Sequence, residues 1–239
     1  MRLDKFLSIT KTATRKEASS AARLGNISVN GITVNSADIH IDPEKDEILF
    51  CSVKVEYRKF IYVLLNKPQG VVSATEDTRE KTVLDLLDDD LRKYNLFPCG
   101  RLDKYTTGLI MLTNDGELAH KLLSPKHHVS KTYAFCCAEV LSLEDVGKLE
   151  AGVYIEGGYL TKPCTVKLNE DKTGGTITIT EGKYHQIKQM LYAVGNEITA
   201  LKRITFGPLN LDGLEGEGSY RNLSDKEINM LRELVNKEK

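Results

Sequence analysis

A two-residue turn constrains this chain more tightly than any other feature of its first half. Ile27-Ser28-Val29 and Ile32-Thr33-Val34 are β-rich triplets separated only by Asn30-Gly31. Both turn residues tolerate positive φ, so the stretch predicts a tight hairpin whose register the turn sets. The residues before it carry a helical period. Leu3, Phe6 and Leu7 repeat at i, i+3, i+4 and predict a short amphipathic helix. Thr14-Arg15-Lys16-Glu17 is a capping-box pattern opening a second helix rich in alanine (Ala18, Ala21, Ala22), with Gly25 as its C′ residue. Residues 1–56 are therefore expected to form a small domain of two helices and a small sheet.

The charged connector Val55 to Lys59 (VEYRK) marks the expected boundary, with a second domain over 60–239. Ile61 to Asn66 is apolar and β-prone, Thr82-Val83-Leu84-Asp85 has a helix-start pattern, and Leu109 to Thr113 reads as a buried strand ended by a turn at Asn114-Asp115-Gly116. Lys131 to Val140 reads as a strand and Leu143 to Glu150 as a helix. Gly175 to Thr180 alternates with period two, as a half-buried strand should. Ile187, Met190, Leu191 and Val194 define another helix closed by Gly195, on which Tyr184, Lys188 and Tyr192 form an i, i+4 row. Ser224 to Glu227 caps a last helix ending near Val235. Strands and helices do not alternate strictly, so the fold class is α+β with a mixed, largely antiparallel sheet.

Composition excludes several classes. No apolar run approaches the ~18 residues of a membrane span. Met1 to Lys5 shows no secretory signal, so a cytoplasmic protein is expected. Five cysteines without CxxC spacing fit reduced thiols, and His127-His128 reads as a surface turn after Pro125; no metal is expected. The 33 basic and 34 acidic residues nearly cancel, but they are not evenly spread. Met1 to Leu24 holds six basic residues (Arg2, Lys5, Lys11, Arg15, Lys16, Arg23) against Asp4 and Glu17. Asp85 to Asp90 holds four acids and Asp38 to Glu47 five. Such a basic stretch is either a solvated helix face or a phosphate-tracking patch.

Gly100-Arg101-Leu102-Asp103-Lys104-Tyr105-Thr106-Thr107-Gly108 carries more polar detail than a connector needs, with one acid between a base and two hydroxyls at the entry to a buried strand. Alone, Asp103 reads as a turn aspartate, Lys188 as a surface lysine and Tyr133 as core packing. The longer pattern alters that. Arg2 to Leu7, Thr14 to Ala18 and Gly25 to Gly31 resemble the S4 RNA-binding domain. Gly100 to Gly116 resembles the catalytic motif of the RsuA/RluA-type pseudouridine synthases. Asn66-Lys67-Pro68-Gln69-Gly70, Lys131-Thr132-Tyr133 and Glu181 to Met190 resemble further motifs of that family, the last in the wording of its RsuA type. Close relatives often carry a second basic residue where this chain has Gln189.

The resemblance implies an RNA pseudouridine synthase with Asp103 as nucleophile, Lys188 as its basic partner and Tyr133 against the target base. It implies substrate contacts from Arg101, Lys67, Pro68, Gly70, Thr106, Thr107, His185 and Gln186, and RNA contacts from the six basic residues of the first helices. The implied substrate is 16S ribosomal RNA in an assembling small subunit, met by a monomer away from any membrane. The alternatives are 23S ribosomal RNA, or a non-catalytic assembly factor that only binds ribosomal RNA. Breaking the uracil–ribose bond and remaking it at another ring carbon involves no redox change and no energy input, so no cofactor is expected. A carboxylate attacks only while ionised; burial would raise its pKa from ~3.9, and a nearby cation restores the charged form. Arg101 and Lys188 both qualify by residue type; the resemblance implies Lys188.

Overall fold

The computed structural model describes residues 1–236. It separates into two compact units, Met1–Lys59 and the chain from Phe60 onward. The first unit contains α1 (Leu3–Ile9), α2 (Arg15–Arg23), β1 (Ile27–Val29), β2 (Ile32–Thr33), β3 (Ile48–Phe50) and β4 (Val53–Lys54), with sheet order β2-β1-β3-β4. Leu3, Phe6, Leu7, Ala18, Ala22, Ile27 and Ile48 make its core. The small alanines of α2 let it sit closely on α1. The capping box closes as its sequence requires: Thr14 Oγ1 accepts from the Glu17 amide (3.2 Å) and the Glu17 carboxylate accepts from the Thr14 amide (2.8 Å). The hairpin turns on Asn30 (φ 51°) and Gly31 (φ 78°), both left-handed.

The second unit opens with β5 (Tyr62–Lys67), followed by a single 3₁₀ turn at Val83–Leu86, α3 (Asp89–Arg92), β6 (Phe97–Pro98), β7 (Thr107–Thr113) and α4 (Gly116–Leu123). It continues through β8 (Lys131–Cys137), α5 (Leu143–Ala151), β9 (Tyr154–Ile155), β10 (Tyr159–Leu160), β11 (Thr165–Leu168) and β12 (Gly174–Ile179). It ends with α6 (Gln186–Ala193), β13 (Ile198–Phe206), β14 (Leu209–Asn210), β15 (Tyr220–Asn222) and α7 (Asp225–Asn236). The main sheet runs β11-β12-β8-β13-β7-β5-β15, with β14 on β13 and β6 on β7; among the described residues only the β13–β7 ladder is parallel.

The central strands are apolar throughout because both faces are covered. On β7, Ile110 and Leu112 enter one core with Met190 and Leu191 of α6, while Leu109 and Met111 enter the other with Leu118 of α4 and Leu231 of α7. Gly108 lies where β7 meets β13. A Cβ there would stand 2.2 Å from the Arg203 carbonyl oxygen, and φ is +97°, so the glycine of the Thr-Thr-Gly stretch is what lets these strands approach.

Two sequence expectations are corrected by this fold. Asn114-Asp115-Gly116 is not a plain turn: Asp115 caps α4, accepting from the Leu118 amide at 3.0 Å and from the buried Tyr62 hydroxyl at 2.6 Å. The helix start at Thr82 yields only one turn, because Asp88 caps α3 from the Leu91 amide.

Candidate active site

Asp103 sits on the loop between β6 and β7, and a lysine braces that loop from behind. Lys67, at the end of β5, is 0% exposed. Its ammonium donates to the carbonyls of Pro68 (3.1 Å), Lys104 (3.2 Å) and Thr106 (2.9 Å). The Gly70 amide adds a bond to the Lys104 carbonyl at 2.9 Å. On the other side Ser73 Oγ donates to the Leu102 carbonyl and accepts its amide, at 2.8 and 3.0 Å. The Thr106 amide closes the turn on the Asp103 carbonyl at 3.0 Å. With main-chain bonds at 102, 104 and 106, the Asp103 side chain is aimed before any substrate arrives. Lys67 is therefore turned under the loop and holds it, and Pro68 and Gly70 join it through main-chain bonds; none of the three lines the cleft. Burial pushes the Lys67 ammonium down to about 8, against the pull of Asp103. Thr107 is likewise off the cleft, paired with Lys202 in the β7–β13 ladder.

The partners of Asp103 come from the start of α6. Lys188 Nζ lies 3.2 Å from Oδ2 and His185 Nε2 lies 3.3 Å from Oδ1. His185 is the residue before α6 and adopts a left-handed backbone (φ 48°, ψ 30°), which turns its ring toward the acid. Tyr184 thus precedes the helix instead of joining a row along it; its ring stacks on His185 at 3.9 Å and stays exposed. Arg101 lines the cleft from an exposed position; Asp103 is ion-paired with Lys188 and lies in contact with the His185 ring. The Asp103 side chain is 31% exposed, so the acid waits at a surface that an inserted base would dry.

Gln186 lines the cleft but is only 3% exposed, and its side-chain amide is spent within the protein. Its amide donates to Glu181 at 2.7 Å and accepts from the Lys183 amide at 2.9 Å. Glu181, quoted in the sequence only as the start of a motif, is a hub: it also accepts from the Tyr159 hydroxyl (2.7 Å) and the Lys162 amide (2.9 Å). Burial pushes its carboxyl up, and these bonds outweigh it to hold it below the ordinary range. Gln189 links two loops, accepting from the Glu156 amide (2.8 Å) and donating to the Tyr184 carbonyl (2.7 Å). The missing second base is thus replaced by a brace.

These elements enclose a cleft of about 320 Å³, enough for a nucleobase. Tyr133, 8% exposed on β8, forms one wall with Asp103 and Thr106. Arg101, Lys131, Lys162, Lys183, Lys188 and Arg203 contribute cations to the lining, and among the described residues only Asp103 and Glu181 contribute acids. Two polar atoms on buried parts of this wall have no hydrogen-bond partner among the described residues, Thr106 Oγ1 and Arg203 Nη2. Sequence reasoning gave Lys131 no role beyond its place in the Lys131-Thr132-Tyr133 motif, and it did not single out Arg203.

In the first unit all six expected basic residues are exposed. Arg2 is corrected as a free cation, because its guanidinium is bound by Asp4 at 2.9 Å and by Asp38.

Residues 61–193 match the family model described as RNA pseudouridylate synthase. An uncharacterised RNA pseudouridine synthase of Bacillus subtilis is 48% identical over 98% of this chain and 99% of its own. The Escherichia coli ribosomal small subunit pseudouridine synthase A is 36% identical over 95% and 98%. A crystal structure of a pseudouridylate synthase superposes with a TM-score of 0.68 at 37% identity, covering 97% of this chain and 99% of that one. An acid set against a lysine in a base-sized, cation-lined cleft is the equipment of a uridine-modifying enzyme. The chain belongs to the RNA pseudouridine synthase family and is an enzyme of its RsuA type.

Proposed function

We propose that this enzyme isomerises one uridine of 16S ribosomal RNA to pseudouridine, with Asp103 as the nucleophile. The observation that carries the assignment is the Asp103 carboxylate held between Lys188 and His185, at 3.2 and 3.3 Å, on the wall of the cleft that Tyr133 lines. A carboxylate paired with a cation keeps its charge when a base displaces water around it, and so remains nucleophilic. The target uridine leaves its stack at a cost of a few kcal/mol and enters the cleft, where the Tyr133 ring supplies a stacking surface. Asp103 attacks, the glycosidic bond is lost, the ring turns, and C5 bonds to the sugar while its proton is removed. Thr106, whose buried hydroxyl lacks a partner among the described residues, is a hydrogen-bond group for the ring edge.

The 16S target is supported by relatives named as ribosomal small subunit pseudouridine synthase A that match nearly the whole chain. The basic helices of the first unit, with their likeness to the S4 domain, supply phosphate contacts that hold the RNA in register. A partly assembled small subunit is the proposed substrate.

Asp103→Asn is expected to abolish pseudouridine formation while RNA affinity stays within about twofold; continued turnover in this variant would sink the nucleophile assignment. Pseudouridine mapping of both ribosomal RNAs from a strain lacking the gene tests the target. One site missing from 16S supports it, and a site missing from 23S replaces it.

A further inference from the structure

Lys131 and Arg203 are two cations at the floor of the cleft without a counter-ion among the described residues. Arg203 is 2% exposed; its Nε donates to the Leu109 carbonyl at 2.6 Å, and its Nη2 has no partner. Lys131 donates to the Val129 carbonyl at 2.9 Å. Both heads lie over the Phe206 ring, at 5.7 Å for Lys131 Nζ and 5.5 Å for the Arg203 guanidinium carbon. The two acids of the cleft are engaged elsewhere, Asp103 with Lys188 and His185, and Glu181 with Tyr159, Lys162 and Gln186. Two like charges sharing a buried site oppose each other and leave desolvation uncompensated. An entering acceptor oxygen relieves both costs.

The position of the pair indicates which oxygen. Arg203 is in register with Tyr133 on the adjacent strand, and Lys131 lies two residues before Tyr133 on β8. Residues paired across strands, or two apart along one, share a face. The cations of the rim, Arg101 and Lys183, are by contrast exposed. Phosphates follow the accessible rim, whereas only an inserted base reaches the floor.

We propose that Lys131 and Arg203 are catalytic residues that bind the carbonyl oxygens of the flipped uracil and stabilise the negative charge the ring acquires. This inference rests on Asp103 being the nucleophile. If its carboxylate attacks the sugar C1′, the N1–C1′ bond breaks and its electron pair spreads over N1, O2 and O4. If it attacks C6, the C5=C6 pair moves onto O4. In either route one unit of negative charge passes from the carboxylate to the ring. On the C6 route the N1–C1′ bond then breaks as well. On either route C5 bonds to C1′, the ester bond to Asp103 breaks and returns the charge to its carboxylate, and the C5 proton leaves to solvent while N1 takes a proton up from it. Fixed donors at developing charge are worth about a hundredfold in rate each.

The test is single-turnover tritium release from total ribosomal RNA of a strain lacking the gene, labelled at uridine C5, with excess enzyme. Lys131→Gln and Arg203→Lys are each expected to slow the step about a hundredfold, with RNA affinity by filter binding within threefold. Lys131 is faced by Arg203, Cys99 and Glu181, and burial followed by Arg203 pushes its ammonium down to about 8. Cys99 is held up at about 12 by burial, and Glu181 is held low, so neither changes charge in that range. The wild-type rate should fall as pH rises through about 8, and Lys131→Arg should remove that fall; Lys67 titrates nearby but is unchanged between the two proteins. Unchanged rates with affinity weakened tenfold would make the pair a phosphate site and overturn the inference. If Arg203→Lys does not melt cooperatively, Lys131→Gln decides alone. Turnover surviving in Asp103→Asn would instead refute the nucleophile. An inactive Asp103→Asn beside a fully active Lys131→Gln refutes only the charge-stabilising role of the two cations.

Discussion

The cleft and the amino-terminal helices both present cations, but they hold them differently. Around the catalytic loop the charges are fixed. Lys188 meets Asp103 from the first turn of α6, and Lys67 is locked beneath the loop by three carbonyls. In the first unit Lys5, Lys11, Arg15, Lys16 and Arg23 are exposed, and of the six only Arg2 is tied down, by Asp4 and Asp38. Fixed cations change the energy of a particular atom at a particular step. Free ones follow a polyanion and give affinity that salt erodes. The difference implies that variants in the cleft should alter rate or stability, and variants on the helices affinity.

Lys188 should give the largest effect. Lys188→Gln leaves Asp103 with His185 alone, and the single-turnover rate is expected to fall about a thousandfold, or about 4 kcal/mol, at saturating RNA. Lys188→Arg should recover most of it, since a guanidinium also pairs with a carboxylate. A variant that lost affinity and kept its rate would erase the distinction between the two regions.

Lys67, beneath the loop that carries Asp103, separates rate from stability on the same side of the comparison. Lys67→Met leaves three carbonyls short of a donor while relieving the burial of a charge, a balance of about 2 kcal/mol destabilising near neutral pH. Urea unfolding would measure it. The folded-state pKa is about 8, below the unfolded value. Between about pH 8 and 10 the unfolded chain therefore binds more protons at this lysine, and the wild type gains stability from it as pH rises. The deficit of Lys67→Met should thus widen from pH 7 to pH 9.5. A deficit that narrowed would mean that the ammonium is not buried beneath the loop.

What the sequence revealed follows the same division between local and tertiary causes. Capping boxes, the Asn30-Gly31 turn and the i, i+3 spacing of α1 are settled within a few residues, and all formed as read. The meeting of Asp103 with Lys188 was accessible only through the family likeness, since 85 positions separate them. Lys67 was misread because nothing local distinguishes a lysine reaching substrate from one turned inward to carbonyls at 104 and 106. The direction depends on how the β6–β7 loop folds over β5. Tyr184 was placed on a helix by spacing alone, and the left-handed backbone of His185 put it outside. Lys131 entered only as the first residue of the Lys131-Thr132-Tyr133 motif, without a role, and Arg203 carries no motif. The charge they leave uncompensated becomes visible only once β8 and β13 are side by side.

Arg15 and Lys16 should show the smallest effect, of a different kind. They occupy the first turn of α2, where the helix dipole disfavours cations. Neither contributes to the capping box, which Thr14 and Glu17 close between them. The capping box gains nothing from two bases there, and under the proposed function they contact RNA phosphates. Replacing both with Gln, a good helix former, should leave the melting temperature unchanged or slightly raised. RNA affinity should weaken about tenfold near 0.1 M salt, and the slope of log affinity against log salt should shrink by about 1.5, the share of two phosphates. The rate at saturating RNA should be that of the wild type. A slope that did not move would show that these bases meet only solvent, and RNA binding would then have to be sought on the cations of the cleft rim.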